Sequence, residues 1–171
     1  VTDETAFWDH GYGFDIRADH VTLENSEAYR AGKHHIGVLG GTGFVGRNLL
    51  TQGTMPGLGT GGASAYVHYS AIPGHNDSST WQNITALDDP AQNYRAFIVH
   101  GDGVGDVHIS GLNAVNSGLY AIDSARITLT DSQIHNGNIR LSTSNTLNDR
   151  VQIKLLGVEA GIYLFGQDSV V

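Results

Sequence analysis

The chain has no cysteine among its 171 residues, which excludes disulfide bonds and thiolate-bound metal. It also has no run of eighteen apolar residues, so the sequence predicts no membrane-spanning helix. Basic residues are scarce, because nine Lys and Arg face seventeen Asp and Glu, for a formal net charge of −8. Since binding to nucleic acid phosphates requires clustered Lys and Arg, nucleic acid is not an expected partner.

Glycine is abundant, with 23 residues, and it occurs together with Asn, Ser and Asp where the chain is expected to turn. The length suits a single domain, 1–171, that buries one continuous core. The sequence begins at Val1 rather than Met, and residues 1–10 already resemble part of a structural repeat. We therefore expect a processed chain or a fragment.

A repeat of about 22 residues is the strongest signal. Four apolar triplets begin 22, 20 and 23 positions apart, at residues 97–99, 119–121, 139–141 and 162–164. A second series lies between them with spacings of 20 and 24, at residues 107–109, 127–129 and 151–153. A repeat of this length is typical of a solenoid, and units made of two or three short strands indicate β-structure.

The first half of the chain keeps the same spacing less regularly. Residues 14–16 are followed 22 positions later by 36–38, and 21–23 are followed 23 positions later by 44–46. The triplet at 65–67 comes 29 residues after Ile36, and Phe97 comes 32 after Ala65. We interpret the excess as loop insertions at 51–64 and 70–95, which in solenoids tend to collect on one face.

These patterns predict an all-β fold, a right-handed parallel β-helix of about seven coils. Alternate side chains of a strand point to opposite sides, so the apolar members of each triplet face inward. The predicted interior positions are Phe14, Ile36, Phe97, Ile139, Leu141, Ile162 and Leu164. A strand-rich sandwich is the alternative. Asn25 and Asn48 lie about one period apart, after the second strand of their coils, and could form an amide ladder at a turn.

With this period the chain resembles the right-handed parallel β-helix superfamily that pectate lyases typify, and the resemblance covers most of its length. Further β-helix coils, or a partner chain, are expected at the N-terminal end. The right-handed sense also agrees with the usual rule for parallel crossovers.

The outward residues of the two series differ. The second series presents an ordinary solvated set, Thr22, His108, Thr128 and Gln152. The first presents aromatic, basic and imidazole groups, Asp15, Gly37, Tyr66, Ile98, Tyr120, Arg140 and Tyr163, with Arg17, His35, His68 and His100 two positions away. Aromatic rings stack on sugars, while Arg and His hydrogen-bond hydroxyls and carboxylates. We therefore predict a sugar-binding groove that includes Tyr66, His68, His100, Tyr120, Arg140 and Tyr163.

One local motif suggests a catalytic centre. The run from Tyr12 to Asp15 is Tyr-Gly-Phe-Asp, and His35 follows about one coil later, diagonally next to Asp15. A carboxylate beside an imidazole can orient a base and tune its pKa. The run resembles the motif of the mannuronan C-5 epimerases, which implies active-site roles for Tyr12 and Asp15. That family continues with Pro-His, where this chain has Ile16 and Arg17. Arg17 is the cation expected beside the pair.

The leading hypothesis is a secreted polysaccharide-acting protein, a lyase or C-5 epimerase of a uronate-containing glycan. One alternative is a non-catalytic β-helix, such as a tailspike, adhesin or surface structural segment, that binds glycan. Another is a glycoside hydrolase, which ranks lower because Asp15 lacks a carboxylate partner on an adjacent coil. Glycosylation sequons at Asn76 and Asn83 agree with an extracellular or cell-surface location.

No cofactor and no transition-metal site are expected. The nine histidines do not show the helical spacing of zinc ligands. Calcium is the ion that loop carboxylates could hold, at Asp88, Asp89, Asp102 and Asp106, with solvated loops as the competing interpretation. The glycine-rich stretch 40–43 is followed by a strand pattern rather than a helix, which argues against a phosphate-binding loop.

Overall fold

The computed structural model describes residues 11–54, 64–70, 72, 75–87, 95–101, 103–122, 126–142 and 152–165, and their regular structure is β-strand throughout. The strands are β1 (Tyr12–Ile16), β2 (Thr22–Ala31), β3 (His34–Leu39), β4 (Phe44–Thr54), β5 (Ser64–Tyr69), β6 (Asp77–Leu87), β7 (Arg95–His100), β8 (Val104–Val115), β9 (Leu119–Ile122), β10 (Arg126–Ser142) and β11 (Gln152–Phe165). Within these described ranges no helix is long and apolar enough to cross a membrane.

All strand pairs are parallel. The sheet order is β1-β3-β5-β7-β9-β10-β8-β6-β4-β2, and β11 pairs with β10. Each strand up to β8 therefore pairs with the strand two places later in the chain, which gives a solenoid-like winding around an enclosed core. The all-β prediction is confirmed, and parallel pairing excludes the antiparallel sandwich, whose hairpins would place consecutive strands side by side.

The predicted register holds over most of the chain. The second series pairs Val107 with Ile127. The first series pairs Phe14 with Ile36, Phe97 with Leu119, Leu119 with Ile139, and Ile139 with Ile162. The apolar side chains of paired strands must all point into one interior. Their spacing in the sequence therefore reveals which residues pair.

Two register predictions are wrong. Ile127 pairs with Ile153, two residues beyond the predicted Val151. The prediction for β5 is wrong by a single residue. Tyr66, not Ala65, pairs with both Ile36 and Phe97. A shift of one residue exchanges the two sides of a strand. Tyr66 and His68, predicted on the outside, are accordingly fully buried. Val67 and Tyr69 take the outward register positions, where Val67 is also buried and Tyr69 is half-buried.

The predicted insertion at 70–95 contains an ordinary strand, β6. Its polar composition suggested a loop, but its residues alternate between buried and half-buried positions, with Asp77, Ser79 and Trp81 buried. It supplies the missing member of the second series, between β4 and β8. The other insertion begins later than predicted, because β4 extends to Thr54; residues 55–63 and 88–94 lie outside the described ranges.

The interior is apolar with an aromatic centre. The rings of Phe44, Tyr66 and Phe97 lie 4.7, 5.7 and 4.9 Å from the Trp81 ring, between centroids. Of the predicted interior positions, Ile36, Phe97, Ile139 and Leu141 are fully buried and Phe14 is partly buried against the core. Ile162 is 47 % exposed, because the described part of the chain places no further strand over β11. The Leu164 side chain is outside the described set.

The strands of the second series bend at residues whose backbone is in the left-handed conformation. Aligned positions on six successive strands all have positive φ, namely Asn25, Asn48, Asn83, Gly111, Asp131 and Gly157. Asn and Gly tolerate this conformation best. The Asn48 amide donates to Asn25 at 3.0 Å, and the Asn83 amide donates to Asn48 at 3.4 Å. The predicted amide ladder is confirmed.

Candidate functional site

The strands present two outer surfaces. We call the outer side chains of β1, β3, β5, β7, β9 and the C-terminal half of β10 the first face. We call those of β2, β4, β6, β8 and the N-terminal half of β10 the second face. In register along the first face are Asp15, Gly37, Val67, Ile98, Tyr120 and Arg140, followed two positions later by Arg17, Leu39, Tyr69 and His100. This surface carries most of the predicted site.

His35 was predicted to lie on the first face, and that prediction is wrong. Its side chain is fully buried, as is that of the next residue, Ile36. The same double burial recurs on β7, where the amides of Ala96 and Phe97 both donate to the carbonyl of Gly118, at 2.9 and 3.3 Å. Two residues that share one partner form a bulge, and a bulge interrupts the alternation of side chains.

Burial also changes the chemistry of His35. It lowers the pKa of the imidazole to about 4, against the opposing effect of hydrogen bonds to the backbone of Ser64, Gln52 and Gly53. The ring is therefore neutral at pH 7, and its Nε2 accepts a long hydrogen bond, 3.4 Å, from the amide of Ala31. These contacts make His35 an interior residue, not a group in reach of a ligand.

His34, which is buried like His35, is the histidine that lies beside Tyr12. Its ring lies 5.1 Å from the ring of Tyr12, and its Nδ1 is 2.7 Å from the Oγ of Ser64. Burial, with a smaller contribution from Lys33, His35 and Arg95, lowers the pKa of His34 to about 4. The site therefore contains a neutral imidazole beside an aromatic ring, on the strand next to Asp15.

Asp15 is held by its own strand. Arg17 donates through Nε and Nη2 to the two carboxylate oxygens of Asp15, at 3.0 and 2.9 Å. The Arg17 side chain is 69 % exposed, so this two-point pair is a surface feature and leaves the guanidinium partly open to solvent. The predicted pair of Asp15 with His35 is not formed.

A pocket of about 340 Å³ lies at this end of the first face. It is lined by Tyr12, Arg17, Leu39, Gly40, Tyr69 and Ile72. The Tyr12 ring lies over Gly37, where a Cβ atom would come within 3.2 Å of it, so the absence of a side chain at 37 makes room for the ring. Burial and the charge of Asp15 raise the pKa of Tyr12, while Arg17 lowers it. Tyr12 is therefore a protonated phenol at neutral pH.

Aromatic and basic groups continue along the first face away from the pocket. The Tyr69 ring lies 5.2 Å from the ring of His100. The guanidinium carbon of Arg95 is 4.4 Å from the centroid of the Tyr120 ring, and that of Arg140 is 4.9 Å from it. Guanidinium groups at these distances interact favourably with the face of an aromatic ring.

The structure thus places His100, Tyr120 and Arg140 on the predicted face, with Tyr12, Asp15 and Arg17 at one end. Tyr163 is in register with Arg140, but its side chain lies outside the described residues. Sequence reasoning missed His34, Tyr69 and Arg95. Counting alternation from Tyr66 instead of Ala65 would have found Tyr69; the burial of both His34 and His35 has no comparable signal.

Carboxylates considered for calcium have other surroundings. Asp88, Asp89 and Asp102 lie outside the described residues. Asp106 accepts from Nε and Nη2 of Arg126 at 2.8 and 3.1 Å, and this partner lowers the pKa of Asp106. The described residues contain no group of three or more His, Asp or Glu placed to hold a metal ion.

Comparisons with protein families, with curated proteins and with solved structures found no match. The functional interpretation therefore depends on the geometry of the first face. That geometry combines a pocket with two tyrosine walls, a neutral imidazole, and cations held against aromatic rings.

Proposed function

We propose that the chain is a right-handed parallel β-helix of about seven coils whose first face binds a polysaccharide. Seven strand segments carry that face and pair in register. Their aligned inward positions are Phe14, Ile36, Tyr66, Phe97, Leu119, Ile139 and Ile162. The separations are 20 to 23 residues, except for 30 and 31 on either side of Tyr66. Parallel crossovers are almost always right-handed, which supports the handedness.

The observation that carries the proposal is the series of rings and cations from the pocket to Arg140, which passes beside the buried Val67 and Ile98. Six strands at the ordinary spacing of about 4.8 Å give this series a length of roughly 24 Å. Tyr12 and Tyr69 offer ring faces on which sugars stack, and Arg side chains offer paired donors for hydroxyls and carboxylates. An extended chain of several sugar units matches such a surface better than a small compact ligand does.

We propose further that the ligand contains uronate and that the reaction is elimination or C-5 epimerisation, in an extracellular or cell-surface setting. Arg17, which lines the pocket, would neutralise the sugar carboxylate and so acidify the C5 proton. His34 replaces His35 as the proposed base, because its neutral imidazole lies beside Tyr12, which lines the pocket; His34 itself is buried and does not line the pocket.

The proton balance gives Tyr12 the opposite role. In elimination, His34 takes the C5 proton, the electron pair forms the C4–C5 double bond, and the C4–oxygen bond breaks. The phenol of Tyr12 then protonates the leaving oxygen. In epimerisation, the same phenol returns a proton to the opposite side of C5. Burial raises the pKa of Tyr12, so the phenol is protonated at neutral pH and has a proton to give.

A non-catalytic glycan-binding β-helix is the second candidate, favoured by the geometry of the predicted catalytic pair. Asp15 is neutralised by Arg17, and His35 is interior. Hydrolysis is less well supported, because it needs two carboxylates. Asp15 is the only acidic residue among the first-face positions described above.

A polysaccharide panel separates these functions. Alginate, polygalacturonate and a neutral glucan are titrated against the chain, and unsaturated product is followed by ultraviolet absorbance. Tyr120→Ala, Arg140→Ala and Tyr163→Ala should weaken binding. Thr128→Ala on the second face should not, nor should Gln152→Ala at the position paired with Arg126. Tyr12→Phe and His34→Gln should abolish turnover with little change in binding. Binding without product from any glycan identifies the non-catalytic candidate, and equal effects from both faces contradict the proposed surface.

A further inference from the structure

Inner side chains of β5 and β6 face each other across the core. The rings of Tyr66 and Trp81 are 5.7 Å apart between centroids. Two positions nearer the segment that joins these strands, the Nδ1 of His68 lies 2.7 Å from the Oγ of Ser79. All four side chains are buried. Because alternate side chains of a strand point to the same side, the two strands form cross-core pairs in steps of two residues.

The next step places Ser70, which follows the last residue of β5, opposite Asp77, the first residue of β6. Both residues are buried, and both contact Gly103. A Cβ atom at Gly103 would overlap the Oγ of Ser70, and the Gly103 carbonyl accepts from the amide of Asp77 at 2.9 Å. The Gly103 amide donates to the carbonyl of Ser70 at 3.2 Å. The hydroxyl and the carboxylate therefore lie at one corner of the core, beside the pair that contains His68.

Three buried polar atoms at this corner have no hydrogen-bond partner among the described residues, namely His68 Nε2, Ser70 Oγ and Asp77 Oδ2. The other carboxylate oxygen of Asp77 is 3.5 Å from Nδ1 of His75, whose side chain is 50 % exposed. Buried polar groups in native proteins are almost always hydrogen-bonded, either to protein or to ordered water. Three such atoms on adjacent inner positions indicate one shared ligand.

The hydrogen-bond chain through the core assigns the proton of the His68 ring. The Nε1–H of Trp81 can only donate, and it donates to Ser79 Oγ at 2.8 Å. The Ser79 hydroxyl then directs its own proton to Nδ1 of His68. Burial lowers the pKa of His68 to about 4, against the opposing effect of Asp77, so the ring is neutral at pH 7 and its single proton is on Nε2.

We propose that His68 Nε2, Ser70 Oγ and Asp77 Oδ2 bind one buried water molecule. The water accepts from the Nε2–H group and donates to the carboxylate, and Ser70 supplies the third hydrogen bond, which is the usual number for a buried water. A metal ion does not fit, because the proton on Nε2 occupies the lone pair that would coordinate it. Tyr69 and Ile72, which line the pocket, lie on either side of Ser70 in the chain, so this water holds the segment that carries them.

NMR of the unaltered chain at pH 7 tests the site directly. The nitrogen shifts of the His68 ring should show the proton on Nε2, and that proton should give a nuclear Overhauser effect to a water of long residence time. A proton on Nδ1, or an Nε2–H group without an effect to water, overturns the proposal. A scalar coupling across a direct hydrogen bond from Nε2–H to the Asp77 carboxylate also overturns it.

Substitution tests whether these side chains hold the water. Oxygen-17 relaxation dispersion counts the long-lived buried waters of the chain. Ser70→Val fills the site and should remove one water from the count. Thr51→Val, the matched control, should leave the count unchanged, because Thr51 is also buried but its hydroxyl already donates to the Thr85 carbonyl at 3.3 Å. Equal counts in the parent chain and in Ser70→Val contradict the proposal.

Ser70→Ala serves if the valine variant does not fold. Loss of the hydroxyl leaves the water two partners and should shorten its residence time about tenfold. An unchanged residence time would exclude Ser70 from the site and so overturn the proposal. None of these measurements uses a glycan, so the water site and the proposed function succeed or fail independently.

Discussion

The two faces of this molecule share one backbone but differ in the described contacts of their arginines. On the second face, Arg47 bridges Glu24 and Gln82 across three strands, so its charge is neutralised by the protein itself. On the first face, Arg95 and Arg140 both lie against the ring of Tyr120. The two faces therefore carry the same residue types but differ in the described contacts of these residues.

The largest effect is expected at β5, where one tyrosine points into the core and another points out of it. Tyr66→Ala should lower the free energy of unfolding by about 4 kcal/mol, because it empties the aromatic core and removes hydrogen bonds to the carbonyls of Leu49 and Thr85. Tyr69→Ala, only three residues away, should cost about 1 kcal/mol or less and weaken glycan binding about tenfold. Chemical denaturation and binding titration measure the two effects. Similar stability losses in both variants would contradict the register described for β5.

Acidification tests the buried imidazoles. Burial lowers the pKa of His35 and of His68 to about 4, from an ordinary value of 6.5. The unfolded chain binds more protons between these values, so stability is complete above pH 6.5 and falls as the pH drops toward 4. Each histidine should contribute about 2 kcal/mol to the loss between pH 7 and pH 5.

Urea denaturation at the two pH values measures this loss. His35→Gln should reduce the difference between the two stabilities, whereas His108→Gln, an exposed residue of the second face, should leave it unchanged. An equal pH dependence in the parent chain and in His35→Gln would show that His35 is not buried as described.

The left-handed corner offers a smaller effect. Asn48 has φ of 52°, donates to Asn25 and accepts from Asn83. Asn48→Ala should lower the free energy of unfolding by about 1 to 2 kcal/mol, since Ala is strained at this φ and makes no amide bond. Asn48→Gly relieves the strain and should recover part of the loss. Thermal and urea denaturation of the Ala and Gly variants separate the cost of backbone strain from that of the lost hydrogen bonds. Equal losses of stability in the two variants would assign the whole effect to the hydrogen bonds.

The smallest effect is expected from the charged network of the second face. Arg47→Gln removes an exposed ion pair and should change stability by less than about 1 kcal/mol. It should not change glycan binding, even though it removes the same charge as Arg140→Gln on the first face. A loss of binding equal to that of Arg140→Gln would mean that net charge, rather than the first face, controls the interaction.

Much of the fold was predictable because the interior imposes its own pattern on the sequence. Apolar pairs flank outward polar residues at 127–129 and 139–141, and these strands have the predicted register. The prediction failed where that contrast disappears. Residues 64–68 are all buried, so alternation there has no visible phase. In β6 the inward Asp77 and Ser79 are polar, which hid a strand inside an apparent loop.

The candidate site was less predictable than the fold. Position along the first face could be predicted for Tyr120, Arg140 and His100, because it depends only on register. At the start of β3, His34 and His35 are both buried, so alternation does not predict which of them contacts Tyr12. Sequence reasoning therefore chose His35 where the structure places His34 beside Tyr12, and it could not foresee that Arg17 binds Asp15.

The pairing of each strand with near neighbours in the stack has a consequence for how the molecule comes apart. The two ends, β1 with β2 and β11, share no pairing and communicate only through the strands between them. Stability is then close to a sum of local terms, and unfolding can begin at one end and proceed strand by strand. Damage at the first coil need not reach Tyr120, so the cationic part of the first face can outlast the pocket.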